Sequence, residues 1–423
     1  MKICLMTNTY LPHVGGVARS VSTFAEEYRR LGHDVLVVAP RLPGRTTRRA
    51  EAIVERVAAI QNFNGSDFSV RLPLAAGLSS RLESYAAEIV HAHHPFLLGD
   101  TALRYATTRN LPLIFTHHTR YEDYVHYVPF ASPALRRAAI QLSTEYANMC
   151  DGVIAPSASI ANLIRRRGVT VPIQVVPTGI DTAAFAAGDG PRARRRFKIP
   201  PRAFVVGHVG RLAPEKNLRY LASSVALFLE RQPQAWFLLV GSGPAEVEVR
   251  EIFKQRGVDR RLVLAGSQTG RALHDAYRAM DLFVFSSRSE TQGLVIAEAM
   301  AASLPVVALR ASGVREVVRP DANGLLLPAE APVAEFARSL TELAGQRRRL
   351  AAFSRAAKAT AAEFSRERCA RQALDFYTEI QRATRRERLI AGQSMWTILQ
   401  DRLAVEWDLL ARNARALTTA LAS

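Results

Sequence analysis

The hydrophobic positions of the chain form short apolar runs that alternate with longer stretches of helical spacing. Short apolar runs are typical of buried parallel strands, whereas apolar residues three and four positions apart are typical of helices packed on a sheet. In the first part of the chain, strands are predicted at 3–6, 35–39, 89–92, 113–116, 153–155 and 173–176, and helices at 17–31, 97–108 and 134–149. This alternation predicts a parallel sheet with helices on both faces.

A segment rich in proline and glycine interrupts the alternation, which then starts again. Residues 177–181 and 188–191 predict the connection between two domains. Strands follow at 204–209, 235–240, 262–265, 282–285, 305–308 and 324–327, and a continuous helix is predicted from 333 to about 383. The predicted fold class is α/β, with two doubly wound parallel-sheet domains. Such domains bind ligands at the carboxyl ends of their strands, so we expect a ligand cleft where the two domains face each other.

The composition is that of a globular protein. Hydrophobic residues make up 48% of the chain, and the mean hydropathy is −0.01. Cys4, Cys150 and Cys369 are too widely spaced for a disulfide framework or a zinc site, which favours a reducing, cytoplasmic location. We interpret residues 1–7 as the first strand and not as a signal peptide. No uncharged run reaches the roughly 20 residues that a membrane-spanning helix requires.

The net charge is +18, and almost all of the basic residues are arginine. An arginine-rich but otherwise ordinary solvated surface is one explanation, and attraction to an anionic surface is the other. A nucleic-acid-binding protein would have a basic helix in a small module, or aromatic residues interleaved with arginines. The sequence has neither, so we expect no nucleic-acid partner. An anionic membrane surface is the better of the functional explanations.

Two glutamates, Glu290 and Glu298, flank the start of a predicted helix. Glu290 follows a strand predicted at 281–285, and Glu298 lies about two turns into a helix predicted at 293–302. Between the glutamates, the backbone N–H groups at the helix start offer a binding position for phosphate. A diphosphate there, with a carboxylate on either side, suits a nucleotide-sugar because both of its sugar rings present hydroxyl donors.

Two cations follow the strand predicted at 204–209. We predict that Arg211 binds a diphosphate through paired hydrogen bonds and that Lys216 acts on it as a point charge. A surface ion pair with Glu215 is the alternative. Gly241 and Gly243 follow the next strand, where a residue without a side chain would let a base or a ribose approach the backbone.

A glycine pair opens the first predicted helix. Gly15 and Gly16 follow the first strand and would leave the start of that helix accessible to a ligand. A plain tight turn is the alternative, because the sequence is not the G-x-G-x-x-G dinucleotide fingerprint.

Histidines are concentrated at the ends of two predicted strands. His91, His93 and His94 end one strand, and His117 and His118 end the next. One of them is a candidate to contact a reacting sugar, and structural roles are expected for the other four. The chain contains no Asp-x-Asp, the common device for holding a metal on a sugar-nucleotide diphosphate. We therefore expect cations and a helix start to neutralise the diphosphate, with no metal and no cofactor. Neither a G-x-S-x-G motif nor a G-x-x-x-x-G-K-[ST] motif is present, which argues against hydrolase and ATPase chemistry.

Five ordered motifs resemble the large retaining glycosyltransferase family four. They are Gly15-Gly16, His118-Thr119, the 210–217 loop, the 241–243 loop and the Glu290/Glu298 pair. The resemblance runs from residue 1 to about residue 377 and implies the GT-B architecture of two facing Rossmann-like domains. It also implies retention of anomeric configuration by attack on the face from which the leaving group departs. No pair of facing carboxylates for a double displacement can be named in the sequence.

The resemblance assigns roles to individual residues. Glu298 would bind the ribose hydroxyls, and Glu290 would bind hydroxyls of the transferred hexose. The implied catalytic residues are His118, Glu290, Arg211 and Lys216. The implied donor-binding residues are Gly15, Gly16, Arg211, Lys216, Gly241, Gly243, Glu290, Gln292, Gly293, Leu294 and Glu298.

A narrower resemblance concerns the acceptor. Segments 116–127 and 290–294 resemble those of bacterial diacylglycerol glucosyltransferases, which work at the inner face of the plasma membrane. The implied acceptor-binding residues are His118, Tyr121, Glu122, Tyr124 and Tyr127. In the helix that follows, Arg136 and Arg137 alternate with Leu135 and Ile140, a combination that suits a membrane interface. Recognition of another hydrophobic acceptor, or simple packing, remains the alternative for the tyrosine-rich segment.

Four regions follow from the pattern and the resemblance together. Residues 1–178 form an N-terminal Rossmann-like acceptor-binding domain, and residues 179–364 form a C-terminal Rossmann-like nucleotide-sugar-binding domain. Residues 365–383 form a helix that returns towards the N-terminal domain. Residues 384–423 form an amphipathic helical extension, which would pack on the protein itself, on a partner or on a membrane.

Together these features predict a retaining, metal-independent transferase. It would move a hexose, favoured as glucose from UDP-glucose, to a lipid acceptor such as diacylglycerol at the cytoplasmic face of the membrane. The alternative is a GDP-mannose-dependent mannosyltransferase that acts on a phosphoinositide or a glycan. A nucleotide-sugar 2-epimerase and a binding scaffold without turnover are further alternatives. The intact Glu290, Arg211, Lys216 and His118 argue against the scaffold.

Overall fold

The computed structural model describes residues 1–13, 15–41, 53–57, 59–60, 70–71, 78–123, 132–287, 290–391, 408–409 and 411–412. The chain divides into two compact units. The first unit comprises Met1–Gly179 together with Glu367–Ser423, and the second comprises Ile180–Arg366.

The first unit contains a parallel sheet with the strand order β3-β2-β1-β6-β7-β8-β9 in its described residues. Its strands are β1 (Lys2–Met6), β2 (Asp34–Pro40), β3 (Val54–Val57), β4 (Ala59–Ile60), β5 (Val70–Arg71), β6 (Ile89–Ala92), β7 (Leu113–Thr116), β8 (Gly152–Ala155) and β9 (Ile173–Val175), of which β4 and β5 form a separate antiparallel pair. Its first helices are α1 (Gly16–Arg30), α2 (Leu78–Tyr85), α3 (Leu98–Arg109), α4 (Pro133–Asn148) and α5 (Ala158–Arg166).

The second unit contains a parallel sheet with the strand order β12-β11-β10-β13-β14-β15. Its strands are β10 (Phe204–Val209), β11 (Ala235–Val240), β12 (Leu262–Leu264), β13 (Leu282–Phe285), β14 (Val306–Leu309) and β15 (Gly324–Leu327). Its helices are α6 (Thr182–Ala186), α7 (Gly190–Arg196), α8 (Leu218–Arg231), α9 (Glu246–Gln255), α10 (Gly270–Arg278), α11 (Leu294–Ala301), α12 (Val314–Val317), α13 (Val333–Gly345) and α14 (Arg347–Ala362). The last helix of the chain, α15 (Arg366–Ala391), follows.

Both faces of the first sheet are covered, which explains why its strands are apolar throughout. Along β1, Cys4 and Met6 belong to one hydrophobic cluster, and Ile3 and Leu5 belong to another. Successive side chains of a strand point to opposite faces, so each strand contributes to two cores. The second of these clusters includes residues of α15, among them Tyr377. The last helix is therefore part of the first unit's core.

Each sheet reverses its direction of growth at one position. In the first sheet this position lies between β1 and β6, and in the second it lies between β10 and β13. In open α/β sheets, ligands bind outside the carboxyl ends of the strands at such a switch point. The loops that follow these four strands are therefore the places where functional side chains are expected.

The structure corrects the prediction of one continuous helix from 333 to about 383. Three helices occupy this region, because Gln346 leaves the helical conformation and residues 363–365 form a turn. In that turn the Ile180 N–H donates to the Phe364 carbonyl at 2.8 Å, and Arg366 N–H donates to the Ile180 carbonyl at 3.1 Å. The helix ends here because a distant segment takes over its backbone hydrogen bonds. Among the described residues, none of the helices is both long and apolar enough to cross a bilayer.

Residues 188–191 are also not the linker that their composition suggests. A Cβ atom on Gly188 would lie 2.3 Å from the His274 carbonyl oxygen, and one on Gly190 would lie 2.2 Å from the Arg278 carbonyl oxygen. The two glycines allow α7 to pack closely on α10, so the segment belongs to the second unit.

Candidate active site

The second unit brings a cation and a carboxylate together at its switch point. Lys216 lies in the loop after β10, and Glu290 lies in the loop after β13, the neighbouring strand. The Lys216 Nζ atom lies 3.1 Å from Glu290 Oε2. The two side chains are 23% and 16% exposed, so both reach the surface of the loops. The ion pair gives this end of the sheet two opposite charges next to a helix start.

The loop after β13 is anchored to the loop that carries Lys216. The Ser286 hydroxyl donates to the carbonyl oxygens of Lys216 and Asn217 at 3.0 and 3.1 Å. The Asn217 side-chain amide donates to the Ser286 carbonyl at 3.3 Å, and the Ser287 hydroxyl donates to the Glu215 carbonyl at 3.3 Å. Since both serines are fully buried, these bonds fix the position of Lys216 relative to Glu290.

Arg211 forms an ion pair with Glu215, which the sequence offered as the alternative to a contact with a ligand. Its Nη2 atom contacts Glu215 Oε1, and its side chain is 47% exposed. The role of Arg211 in binding a diphosphate stays a prediction. An exposed arginine can exchange an intramolecular carboxylate for a phosphate at small cost, because exposed ion pairs contribute little to stability.

Gly241 and Gly243 allow two loops to approach each other. A Cβ atom on Gly241 would lie 1.8 Å from the Gly210 carbonyl oxygen, and one on Gly243 would lie 2.4 Å from the Leu212 carbonyl oxygen. Their φ angles of +139° and +151° also disfavour other residues. In the structure, the group that approaches these glycines is the neighbouring loop that contains Arg211.

The start of α11 has the properties expected of an anion-binding position. Gly293, at φ +77°, precedes the helix, which begins at Leu294. The first helical N–H groups have no partner within a helix and point outwards from its start. Gly313 packs against this turn, where a Cβ atom would lie 2.6 Å from the Gln292 backbone nitrogen. Gln292 itself is buried.

Glu298 lies deeper than predicted. It is one turn into α11 and not about two turns, because the helix begins at Leu294. The carboxylate is 1% exposed, and its Oε2 atom accepts a hydrogen bond from the Tyr277 hydroxyl at 2.8 Å. Tyr277 on α10 therefore holds Glu298 in place, and its binding of ribose hydroxyls stays a prediction.

In the first unit, His118 is paired with a second histidine. His118 Nε2 lies 2.9 Å from His93 Nδ1, and the two rings are stacked with their centroids 5.2 Å apart. His93 ends up there because β6 and β7 are neighbouring strands, whose carboxyl ends lie at one edge of the sheet. His93 was expected to have only a structural role. Its contact with His118 makes it a direct neighbour of the predicted catalytic histidine.

The histidine cluster is electrically neutral at physiological pH. Burial lowers the pKa of His91 and of His94 to about 3 and that of His117 to about 4. Burial, followed by repulsion from neighbouring histidines, lowers the pKa of His93 and His118 well below 6.5. In a neutral imidazole one nitrogen donates and the other accepts. The His93–His118 hydrogen bond therefore links the tautomer of one ring to that of the other.

Two of the histidines have ordinary structural partners. His91 Nε2 lies 2.6 Å from the Thr116 hydroxyl, and its Nδ1 contacts the hydroxyl of Tyr377 on α15. His94 Nδ1 accepts a hydrogen bond from the Asn8 backbone N–H at 3.1 Å. These contacts agree with the structural roles expected for His91 and His94.

The described acceptor-side residues pack around the histidines. The Tyr121 ring contacts the rings of Phe96 and His117, with centroid distances of 5.5 and 5.9 Å. Glu122 is buried and accepts hydrogen bonds from Arg167 at 2.6 Å and from Arg120 at 3.3 Å. Burial, the largest single influence, raises the pKa of Glu122, but the hydrogen bonds from Arg167 and the backbone and the charges of Arg167 and Arg120 together lower it below its ordinary value. The carboxylate of Glu122 thus already has cationic partners. Tyr124 and Tyr127 lie outside the described residues.

The glycine pair opens α1 as expected. Gly15 precedes the helix in an extended conformation, and Gly16 is its first residue. A Cβ atom on Gly16 would meet no atom within 4 Å, whereas one on Gly15 would lie 2.9 Å from His13 Nε2. The start of α1 is therefore open at Gly16. Within the described parts of the chain, no group of three or more potential metal-ligating side chains is arranged to hold a metal ion.

Several residues of the two loop clusters were not identified from the sequence. They are Ser286, Ser287, Gly313 and Tyr277, whereas Asn217 and His93 were named in a motif and in the histidine cluster without a functional role of their own. Ser286 and Ser287 directly follow a predicted strand, a signal that could have marked them. Tyr277 and Gly313 carry no such signal, because only packing brings them to Glu298 and Gln292.

Comparison with known proteins identifies the family. Residues 14–184 match the family described as Glycosyltransferase Family 4, and residues 189–360 match the one described as Glycosyl transferases group 1. The chain is 30% identical over 358 residues to a GDP-mannose-dependent alpha-mannosyltransferase of Mycolicibacterium smegmatis, which covers 82% of this chain and 90% of that protein. The chain belongs to glycosyltransferase family 4. It is a transferase of the hexosyltransferase type.

Other relatives and solved structures agree with this assignment. An alpha-monoglucosyldiacylglycerol synthase of Streptococcus pneumoniae is 30% identical over 320 residues, covering 73% of this glycosyltransferase and 71% of the relative. The structure of Anabaena HepE in complex with UDP superimposes with a TM-score of 0.72 at 22% identity, covering 90% of this chain and all of that one. A sucrose-phosphate synthase of Thermosynechococcus elongatus gives a TM-score of 0.73 at 20% identity, covering 90% and 99%. These structural matches confirm the predicted GT-B fold.

Proposed function

We propose that this glycosyltransferase moves glucose from UDP-glucose to a lipid acceptor such as diacylglycerol at the cytoplasmic face of the membrane. The observation that carries the donor half of the proposal is the Lys216–Glu290 pair beside the start of α11. The acceptor half is supported by the relatives named alpha-monoglucosyldiacylglycerol synthase and by the resemblance of segment 116–127 to such enzymes.

The donor-side residues have different roles in binding and transfer. Lys216 neutralises the negative charge that develops on the diphosphate as the bond to the sugar breaks, together with Arg211 and the N–H groups at the start of α11. Glu290 accepts hydrogen bonds from hydroxyls of the hexose, and Glu298 accepts them from the ribose. The same cation–carboxylate pair thus positions the sugar and stabilises its leaving group.

The transfer retains the configuration of the sugar and needs no metal. An acceptor hydroxyl attacks from the face on which the diphosphate departs, and a diphosphate oxygen receives the proton of that hydroxyl. The new glycosidic bond forms as the bond between the anomeric carbon and the diphosphate breaks, so the products are the glycoside and the nucleoside diphosphate. The absence of Asp-x-Asp from the sequence supports neutralisation of the diphosphate by Lys216 and Arg211. His118 orients the acceptor hydroxyl towards the sugar.

Contact with an anionic membrane is supported by the charge and by one helix. The chain has a net charge of +18. On α4, Arg136 and Arg137 are exposed, while Leu135 and Ile140 are half-buried next to them. Exposed arginines beside apolar side chains suit the headgroup region of a membrane that contains anionic lipids.

A GDP-mannose-dependent mannosyltransferase acting on a phosphoinositide or a glycan is the second candidate. It is favoured by the mannosyltransferase relatives of Mycobacterium tuberculosis and Mycolicibacterium smegmatis, which are 29% and 30% identical to this chain.

An assay with each combination of two donors and two acceptor lipids distinguishes the two candidate functions. The purified full chain is incubated with radiolabelled UDP-glucose or GDP-mannose and with vesicles that contain diacylglycerol or phosphatidylinositol, with and without EDTA. We expect label from UDP-glucose in the organic phase with diacylglycerol vesicles, unchanged by EDTA, and an α-linked product by NMR. Label only from GDP-mannose would favour the second candidate. Loss of activity in EDTA, restored by a divalent cation, would contradict metal independence.

A further inference from the structure

Part of the C-terminal extension is buried in the first unit. Leu409 belongs to the hydrophobic cluster that also contains residues of β6, β7 and β8, and Arg412 is 1% exposed. A guanidinium removed from water is stable only where charged and polar partners replace the water. The surroundings of Arg412 therefore indicate what this segment does.

Arg412 contacts three groups of the first unit. Its Nη1 donates to the Pro95 carbonyl at 2.9 Å, and its Nη2 donates to Asp100 Oδ1 at 2.6 Å. Its guanidinium carbon lies 5.6 Å from the centroid of the Tyr146 ring. Charge-assisted hydrogen bonds and a cation–π contact are strong in a site shielded from water. Arg412 thus joins the loop between β6 and α3 to helix α4.

Residues 93–100 comprise the loop after β6 and the first turn of α3, and are called loop 93–100 below. The conformation of this loop requires such support. Leu97 has a φ of +59°, which is costly for a residue other than glycine. Its N–H donates to Asp100 Oδ2 at 3.2 Å, so the carboxylate that binds Arg412 also holds this strained residue. Asn8 makes three further hydrogen bonds to the loop at 3.0–3.1 Å, and the Tyr146 hydroxyl donates to the loop backbone at 2.8 Å.

The same loop contacts the predicted acceptor-side residues. His93 lies at its start and is hydrogen-bonded to His118. Phe96 lies in its middle and packs its ring against Tyr121. A change in the conformation of this loop would therefore move both neighbours.

We propose that Arg412 is a positioning residue for the acceptor side of this enzyme. Through Pro95 and Asp100 it holds loop 93–100 in the conformation in which His93 orients His118. Through Arg412, the C-terminal extension then contributes to the acceptor side of the enzyme. The effect on transfer rests on the proposed function of His118, whereas the effect on the loop does not.

The variant Arg412→Met tests the proposal, because methionine fills much of the same space but cannot make the hydrogen bonds. We expect amide exchange of residues 94–100 to become at least about tenfold faster. We expect kcat/KM for the acceptor to fall by about tenfold or more, mainly through KM. The Kd for UDP should stay within about twofold, since all but two of the residues predicted to bind the donor lie in the second unit.

Two further variants test whether the effect is due to the contacts of Arg412. Arg412→Lys retains the charge and can reach one of the two acceptors, so it should recover part of the loss. Arg368→Met replaces an exposed arginine on α15 and should leave every readout unchanged. If Arg412→Met does not fold, Asp100→Asn, which removes the charge that Arg412 binds but keeps an oxygen acceptor at the same position, is expected to show the same pattern.

An activity-independent measurement separates this proposal from the proposed function. Selective ¹⁵N labelling of histidine reports the tautomers of His93 and His118, and we expect Arg412→Met to replace one defined tautomer by exchange averaging. Unchanged exchange at 94–100 together with unchanged histidine signals would overturn the proposal, whatever the enzyme transfers. An equal loss of acceptor and UDP binding would also overturn it, because that result indicates general destabilisation. Failure of the wild-type protein to glycosylate any lipid, with altered histidine signals in Arg412→Met, would instead refute only the proposed acceptor.

Discussion

The two units are built on the same plan but carry different side chains at the carboxyl ends of their strands. In the second unit, the loops after β10 and β13 hold the partly exposed ion pair of Lys216 and Glu290. In the first unit, the loops after β6 and β7 hold neutral, stacked histidines, among them His93 and His118. The candidate site residues are charged in the second unit, whereas those of the first unit are uncharged hydrogen-bonding groups.

This difference suits a division of labour in glycosyl transfer. A nucleotide-sugar carries its negative charge on the diphosphate, so the half that binds it needs cations and helix N–H groups. An acceptor hydroxyl is neutral, and a neutral imidazole can orient it without attracting the diphosphate. The comparison illustrates that a shared fold does not determine function, which resides in the side chains placed on it.

The comparison predicts that mild acid weakens the first unit more than the second. Burial lowers the pKa of His91, His94 and His117 in the first unit to about 3, 3 and 4, and that of His208 in the second to about 4. An unfolded histidine has a pKa of about 6.5, so below that pH the unfolded state binds protons that the folded state excludes. The free energy of unfolding is therefore highest above pH 6.5. As the pH falls from 6.5 towards the pKa of the folded histidine, the free energy of unfolding decreases by about 1.4 kcal/mol per histidine per pH unit.

At pH 5.5 these histidines should therefore lower the free energy of unfolding by roughly 4 kcal/mol in the first unit and by about 1.4 kcal/mol in the second. Hydrogen exchange between pH 7.5 and 5.5, resolved by peptide and corrected for intrinsic rates, measures both units in one sample. His117→Phe should reduce the pH dependence of the first unit and leave that of the second unchanged. Equal pH dependence of the two units would contradict the prediction.

Removal of the cation in the second unit should abolish most of the activity. For Lys216→Ala we expect turnover to fall by about 10²-fold or more with the fold intact, because the developing charge on the leaving group loses its nearest ammonium. Initial rates at saturating donor and acceptor measure it. Lys254→Ala, which replaces an exposed lysine on α9, is the matched control. Wild-type turnover in Lys216→Ala would refute the assigned role.

Neutralising the carboxylate tests the other member of the pair. Glu290→Gln keeps the shape of the side chain but loses the charge that accepts hydrogen bonds from the hexose, and we expect a loss of turnover of about 10²-fold. UDP, which has no hexose, should bind with nearly unchanged affinity in a calorimetric titration. Glu251→Gln on the exposed face of α9 is the control. A large loss of UDP affinity with unchanged turnover would place Glu290 at the nucleotide instead.

The smallest expected effect concerns the membrane. Binding to anionic vesicles should weaken as salt rises, because screening shortens the range of the attraction. The double variant Arg136→Ala/Arg137→Ala should weaken that binding by about thirtyfold, since each arginine near the surface contributes about 1 kcal/mol. Arg195→Ala/Arg202→Ala removes two exposed charges from the second unit and should have less effect. Vesicle sedimentation at two salt concentrations measures both variants, and a result independent of salt would rule out electrostatic membrane binding.

Much of the fold was predictable because strand and helix periods are local properties of a sequence. The strands at 204–209, 235–240 and 282–285 were predicted with the bounds that the structure has. The edge strands β3 to β5 were missed, and so were the breaks in the predicted helix after residue 333. Edge strands carry a weaker apolar pattern, and the break at 363–365 depends on Ile180, a residue far away in the sequence.

In the candidate site too, some contacts could be predicted from the sequence and others could not. The apolar runs place Lys216 and Glu290 at equivalent ends of neighbouring strands, so their proximity follows from the pattern once the sheet is assumed. The Arg211–Glu215 pair joins residues four positions apart and was named as an alternative from the sequence, but nothing local indicates that Tyr277 holds Glu298. Such partners are decided by the packing of helices and loops.

The two parallel sheets, the family and the types of side chain available for chemistry could be inferred from the chain alone, because they depend on periodicity and on residues close together in the sequence. Which side chains meet depends on the folded core. His93 pairs with His118, and Arg412 is buried against the loop that carries His93, since contacts between distant segments form only when the complete core is assembled.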